Sequence, residues 1–293
     1  LYRVSYTGSE STADAWVPNK EGSEARALRH KLEWLHGRVS PGAIDFLWPH
    51  LNSPDRSIRY AARIALESQP VAQWKARALA ETSADAGITA LLALARLGDK
   101  SVQDENLRAL GKWPMATLPE RQQLDKLRVI QLSLARHGLP SADTVRLGIE
   151  KLSAIYPSQS RLVNREVSQI LIALGAPDVV SKTLALMAAE PTQEGLFHYL
   201  FHLRTARNWT TDQRREYLSY WVKDRKAYSH QGDILKWFEE AGRPYADGAS
   251  FNNFLKNFLK EAYANFTDAR SEEHTSELQS HHDLVCRLLL EKK

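Results

Sequence analysis

A repeat of about 40 residues constrains the fold of this chain more than any other feature of its sequence. The string LALARLG at 92–98 recurs as LSLARHG at 132–138 and, in a shorter form, as LIALG at 171–175. Each string ends in a glycine, and these are Gly98, Gly138 and Gly175, spaced 40 and 37 residues apart. This period is typical of solenoids built from stacked helical pairs, in which each glycine takes the left-handed conformation that ends a helix. The sequence therefore predicts an all-α fold whose core is made by stacking.

Apolar residues recur at helical spacing through residues 23–269. A first helix is expected to begin at Ser23, which would cap it, and a second to open at Ser40 with Pro41 in its first turn. Later apolar stripes include Leu91, Leu94 and Leu97. We expect short helices joined by tight turns along this whole region.

The first six residues differ from the rest because apolar and polar side chains alternate there, which predicts a β-strand. One strand cannot form a sheet alone. We interpret residues 1–22 as the last strand and the linker of a β domain that precedes this region, and residues 23–269 as the helical domain.

The C-terminal segment 270–293 does not resemble protein-coding sequence. RSEEHTSELQS at 270–280 resembles the translation of a common short-read sequencing adapter. LVCRLLLEKK at 284–293 resembles the far arm of the same adapter, running into a poly-A end. We therefore leave this tail out of the fold prediction.

Without the tail, 35 Lys and Arg face 30 Asp and Glu, a net charge of +5, and no cysteine is left because Cys286 lies in the tail. Thiol nucleophiles, Cys-ligated zinc and C-x-x-C-H haem attachment are thus excluded from residues 1–269. The basic residues are scattered, which does not indicate a nucleic-acid surface. No apolar run is long enough to span a membrane.

The segment DRSIRYAARIAL at 55–66 resembles the second-helix signature of HEAT repeats. Asp55 is expected to accept hydrogen bonds from helix N-terminal amides, and Arg59 to reach an acidic turn residue of the adjoining repeat. Ala62 and Leu66 belong to the small and apolar residues of this signature. The alternative is an ordinary amphipathic helix after a Ser-Pro-Asp turn.

Most of residues 1–269 also resembles the helical segment of large exported bacterial multidomain proteins, over stretches at 1–8, 25–37, 53–79, 90–99, 168–180 and 254–269. In that family a sorbosone- or glucose-dehydrogenase-like β-propeller precedes the HEAT repeats, and a haem-binding cytochrome c domain follows them. The resemblance implies a periplasmic or exported parent, possessing a PQQ- or haem-linked dehydrogenase activity outside this segment. Its haem-binding motif would lie beyond residue 269.

Motifs for catalysis are absent from the sequence: there is no Gly-rich phosphate loop, G-x-S-x-G, H-E-x-x-H or EF-hand loop. His198 and His202, spaced i, i+4, come nearest to a metal site, but no third ligand follows from the sequence. We interpret them as a pair at the edge of the core or on the surface. No catalytic residue and no cofactor is expected.

Two groups of residues could still bind a partner. The first is the set of eight tryptophans, for which we favour packing between repeats over an aromatic binding surface: Trp16, Trp34, Trp48, Trp74, Trp113, Trp209, Trp221 and Trp237. The second is a basic patch, the best candidate surface for phosphate or acidic partners: Arg204, Arg207, Trp209, Arg214 and Arg215.

These observations predict a non-catalytic helical-repeat scaffold whose partners are other proteins or other domains of the same polypeptide. Two alternatives remain. A HEAT-like DNA glycosylase also folds as stacked helical pairs, but it needs a concave basic groove with a Trp and a catalytic Asp. A stand-alone protein-binding HEAT adaptor needs no catalytic residue.

Overall fold

The computed structural model describes residues 2–11, 21–207, 209–223, 236, 238–242 and 251–266. Within these residues every regular element is a helix, which confirms the all-α prediction. The adapter-like tail, Trp16 and Trp237 lie outside the described residues. None of the helices in this part of the chain is both long enough and apolar enough to cross a bilayer.

The described elements follow one another as short helices joined by tight turns. The α-helices are α1 Ser23–Trp34, α2 Ala43–Leu47, α3 Arg56–Glu67, α4 Val71–Ala80, α5 Ala84–Leu97, α6 Gln103–Ala109, α7 Glu120–His137, α8 Ala142–Ser153, α9 Arg161–Leu174, α10 Val179–Ala189, α11 Gln193–Leu203, α12 Thr211–Lys223 and α13 Phe251–Asn265. Short 3-10 helices occupy Trp48–Asn52, Lys100–Val102, Leu110–Lys112 and Met115–Thr117.

The helices form two layers. The odd-numbered helices contact one another in chain order, α1 with α3, α3 with α5, and so on to α9 with α11. On the other side α4 contacts α6, α6 contacts α8, and α10 contacts α12. Each helical pair thus packs against the pairs next to it in sequence, which is consistent with a helical repeat.

The interior consists of two hydrophobic clusters. One cluster extends from α1 to α7 and includes the buried side chains of Leu66, Trp74 and Leu91. The other extends from α7 to α13 and includes Ile170 and Tyr199. The two meet on α7, where Ile130 packs against both.

The predicted N-terminal strand is wrong. Residues 2–7 have no regular structure, and the side chains of Tyr2 and Val4 are 100% and 95% exposed. Alternating side chains become a strand only when a second strand satisfies the backbone groups, and none is present in the described chain.

Two helices start at glycines instead of the serines that the sequence indicated. Gly22 precedes α1 with φ +68°, and Gly42 precedes α2 with φ +75°, and neither helix has a side-chain cap. Ser23 lies inside α1, and the carbonyl of Ser40 accepts the N–H of Ala43 in the turn before α2. The chain enters both helices through a backbone conformation that glycine adopts at no steric cost.

The three repeat glycines differ in backbone conformation. Gly175 has φ +72° and ψ +34°, the left-handed conformation that was predicted for a residue that ends a helix. Gly138 also has a positive φ of +69°, but its ψ of −157° lies outside the left-handed helical region, so the prediction was wrong there. Gly98 instead has φ −63° and is extended, so a left-handed conformation was the wrong expectation there. A Cβ at Gly98 would lie 2.5 Å from Cγ2 of Val102 and 2.7 Å from the carbonyl oxygen of Leu94. Close approach of the chain therefore requires this glycine.

The HEAT-like segment forms α3 and is capped as predicted. The carboxylate of Asp55 accepts the N–H of Ser57 at 2.7 Å and that of Ile58 at 3.3 Å. Both Ala62 and Leu66 are fully buried.

Arg59 does not reach the adjoining repeat, contrary to the prediction. Its guanidinium donates to the carbonyl oxygens of Ser53 at 2.7 Å and Pro54 at 3.0 Å, in the turn that opens its own helix. The carbonyls of this tight turn lie within reach of the guanidinium and need a donor.

Asp55→Ala is expected to lower the free energy of unfolding by about 1 kcal/mol, because two helix N-terminal amides lose their acceptor. Urea unfolding followed by circular dichroism measures the change. Asp55→Asn is the matched control and should lose much less, since asparagine caps about as well as aspartate. Equal losses in the two variants would contradict a capping role.

Candidate functional site

His198 and His202 lie one turn apart on α11, with ring centroids 4.5 Å apart. The Nε2 of His198 lies 3.1 Å from the carbonyl oxygen of Arg165 on α9, to which it donates. Its Nδ1 then faces a guanidinium nitrogen of Arg165 at 3.5 Å. The pair therefore joins two neighbouring helices.

The surroundings of the two rings oppose their protonation. Burial lowers the pKa of both imidazoles, and that of His202 falls to about 3, with the His198 ring and Arg204 adding repulsion. Both rings are neutral at pH 7. Among the described residues no group of three or more His, Cys, Asp or Glu side chains is placed to hold a metal ion. The histidines contribute packing and one helix-to-helix hydrogen bond.

The predicted basic patch does not form as one surface. Arg204 pairs with Glu261 at 2.6 Å and stacks on the ring of Phe201, 3.7 Å from its centroid. Trp209 and Arg214 are buried, with Trp209 packed against Tyr217 and Phe266 and Arg214 against Phe266. These three side chains help to attach α12 and α13 to the stack.

The other two arginines of the predicted patch are exposed. Arg215 pairs with Asp212 at 3.4 Å, and Arg207 lies in the turn before α12. The basic groove that a DNA glycosylase would need is therefore not built from these five residues.

Most of the tryptophans whose side chains are described pack inside, as predicted. Trp48, Trp74, Trp113 and Trp209 are buried, and each indole N–H has an acceptor. Trp34 differs, since it is 59% exposed and lies beneath the guanidinium of Arg38.

Trp34 belongs to an apolar surface at the N-terminal end of the stack. Val39 and Phe46 are exposed beside it, and a shallow cavity of about 520 Å³ separates Trp34 from Phe46. Terminal repeats of solenoids usually present a polar outer face. We name Trp34, Val39 and Phe46 the end surface.

A larger cavity lies where the two hydrophobic clusters meet. It has a volume of about 560 Å³ and is bounded by α6, α7, α8, the segment 110–116 and the end of α9. Its polar lining comes from Arg108, Lys126, Thr144 and Lys151. We name it the seam cavity.

The sequence pattern does not indicate the seam cavity. Lys126 is 7% exposed, and its ammonium donates to the carbonyl oxygen of Trp113 at 2.6 Å. Burial lowers its pKa to about 8, and the charge of Lys151 adds to this effect. The sequence feature that could have indicated the burial of Lys126 is its spacing on α7, where it shares a helix face with Val129, Ile130 and Ser133.

The lowered pKa of Lys126 predicts that the protein becomes more stable as the pH rises from 8 to 10. The unfolded chain keeps this proton up to about pH 10.4, whereas the folded chain releases it near pH 8. The unfolded state therefore binds more protons in this window, and the free energy of unfolding rises by on the order of 1 to 2 kcal/mol.

Urea titrations at several pH values measure this rise in the unaltered chain and in Lys126→Met. The difference in the free energy of unfolding between the unaltered chain and Lys126→Met should disappear toward pH 10. Lys75→Met, at a lysine paired with Glu105 on the outside, is the control and should keep the rise. A rise of equal size in Lys126→Met would contradict this assignment.

No family model, curated protein or solved structure matches the chain.

Proposed function

We propose that residues 23–269 form a HEAT-type solenoid that acts as a non-catalytic scaffold, holding other domains or proteins at a set distance. The observation that supports this proposal is a series of polar contacts between neighbouring repeats, most of which join a side chain to a helix end about 30 to 40 positions away. A scaffold has to resist bending, and such contacts oppose it at successive joints.

The first of these joints connects α3 to the turn before α2. Gln69 donates to the carbonyl oxygen of Arg38 at 2.8 Å and accepts the N–H of Ser40 at 3.1 Å. One step further, Arg96 of α5 pairs with Glu67 of α3 at 2.9 Å. Gln69 is buried, so both of its amide functions are used without competition from water.

The next joint is made by several hydrogen bonds. Gln103 donates to the carbonyl oxygens of Ser133 at 3.3 Å and Gly138 at 2.9 Å. Lys100 donates to the carbonyl oxygens of His137 at 2.7 Å and Leu139 at 2.5 Å. The end of α7 is thus held by two side chains from the preceding repeat.

Later joints are made by ion pairs and single hydrogen bonds. Gln131 of α7 donates to Glu166 of α9 at 2.5 Å, and Lys182 of α10 donates to the carbonyl oxygen of Ser153 at 2.9 Å. Arg161 pairs with Glu190, whose side chain is almost fully buried. A half-buried pair of this kind is screened less by salt than a surface pair.

The end surface supports the same proposal. Trp34, Val39 and Phe46 expose apolar area at the end of a stack where a polar face is expected. We propose that a neighbouring domain or a partner protein covers this surface. The resemblance to exported multidomain proteins suggests a β-propeller at this end and a cytochrome c domain beyond residue 269.

Single-molecule energy transfer between dyes at Glu24→Cys and Glu194→Cys tests the scaffold, in a chain whose Cys286 is replaced by Ser. Both positions are exposed, one in α1 and one in α11. We expect one narrow distance distribution. Gln103→Ala should broaden it because the end of α7 loses two hydrogen bonds.

Gln122→Ala is the matched control, since Gln122 lies on the same stack of helices but makes no hydrogen bond among the described residues. Its distribution should equal that of the unaltered chain. A broad distribution in the unaltered chain would contradict the proposal, because a scaffold that bends freely sets no distance.

The sequence of the parent gene tests the proposed context. Upstream codons should encode a β-propeller, and codons after Ala269 should encode a C-x-x-C-H motif in place of the adapter-like tail. Haem staining of the expressed full-length protein then verifies covalent attachment. A gene that ends near residue 269 without such a motif would contradict the cytochrome part of the proposal and leave the stand-alone adaptor.

A further inference from the structure

The seam cavity has the walls of a small-molecule site. Its volume of about 560 Å³ lies inside the range of about 300–1,000 Å³ that is common for ligand pockets. Most of its wall is aliphatic, with Leu110, Ile130, Leu134, Leu147 and Leu152 among the lining residues. Because it lies between one helical pair and the next, residues of α6, α7, α8 and α9 all line it.

The charged side chains that line the cavity in the described part of the chain are those of Arg108, Lys126 and Lys151. Arg108 donates to the hydroxyl of Thr144 at 3.3 Å, and Asp104 lies close enough to both residues for them to lower its pKa. The two lysines make no ion pair among the described residues. An anionic ligand would balance their charge.

Lys126 supplies the point of attachment inside the cavity. Its side chain is 7% exposed, and of the three donors of its ammonium one is used, by the carbonyl oxygen of Trp113 at 2.6 Å. A buried ammonium with unused donors is costly unless an acceptor completes its shell. An anionic oxygen at this place would form a charge-assisted hydrogen bond with it.

These two properties together restrict the ligand. The aliphatic walls favour an apolar chain, and the ammonium groups of Lys126 and Lys151 favour a negatively charged head. Among the described residues that line the cavity, none carries an aromatic ring on which a nucleobase could stack, and Thr144 has the one neutral polar side chain. We infer that the seam cavity binds a single-chain aliphatic carboxylate, with its head toward Lys126 and its chain along the leucine wall.

Occupation of the cavity would connect the two hydrophobic clusters. Leu110 belongs to the cluster of the first helices, Met115 and Leu152 belong to that of the last helices, and all three line the cavity. A chain lying between them adds contacts to both. Since such a ligand binds only the folded protein, it raises the melting temperature in a concentration-dependent way.

Isothermal titration calorimetry of the full chain with decanoate, below the concentration at which it forms micelles, tests the site. We expect saturable binding with a stoichiometry of one and a rise in melting temperature. Two further probes test the contributions of the charged head and of the apolar chain to binding separately. Acetate has the head without the chain, and 1-decanol has the chain without the charge.

Decanol should bind about tenfold more weakly than decanoate, the ratio that corresponds to the loss of one charge-assisted hydrogen bond, and acetate should not bind measurably. Equal affinities of decanol and decanoate would overturn the inference, because the cations would then have no part in binding. Non-saturable uptake of several decanoate molecules would overturn it too.

Substitutions locate the site. Lys126→Met keeps the length of the side chain and should weaken decanoate binding about tenfold or more. Lys151→Met removes an exposed charge at the rim without disturbing the core, and it should weaken decanoate binding about threefold. This variant tests the role of the cations if Lys126→Met does not fold. Lys75→Met, outside the cavity, should leave the affinity unchanged. Unchanged affinity in Lys151→Met and in every folded Lys126 variant would overturn the assignment.

Discussion

The exposed carbonyls at the ends of helices are the constraint on which this fold depends. The last turn of every helix leaves C=O groups without a partner in the helix, and a stack of short helices has many such turns. Here side chains from adjacent repeats donate to several of them. Gln103 and Lys100 do so for the end of α7, and Asn265 for Arg204 at the end of α11. Gln69 donates in the same way to Arg38, in the turn that follows α1.

Hydrogen bonds to the helix-end carbonyls also fix neighbouring repeats relative to each other. When a helix-end carbonyl is hydrogen-bonded only within its own turn, that bond does not fix the angle between the helix and its neighbour. When the donor comes from another repeat, the hydrogen bond fixes the position of the helix end relative to that repeat. Arg136 of α7 donates to the carbonyl oxygen of Ala95 at 2.7 Å, while Gln103 donates to the end of α7. Each of these two repeats therefore donates a hydrogen bond to a helix-end carbonyl oxygen of the other.

The sequence predicted the features that depend on short stretches. The helical periodicity, the Asp55 cap and the burial of Ala62 and Leu66 all follow from spacing and residue type. The features that depend on a partner were not predictable. The strand needed a second strand, and Gly98 needed the approach of Val102. The arginines at 204 and 214 looked like a solvent patch because their partners Glu261 and Phe266 lie far away in the sequence. Lys126 was missed because one lysine among apolar residues does not reveal a cavity.

The seam cavity has a mechanical meaning for the stack. Side chains that face open volume lose the dispersion contacts that they would have in a filled core. The helices that border the cavity, α6 and α7, are the same ones that the hydrogen bonds from Gln103 and Lys100 hold together. At this point of the array, stiffness therefore depends more on directional hydrogen bonds than on apolar packing.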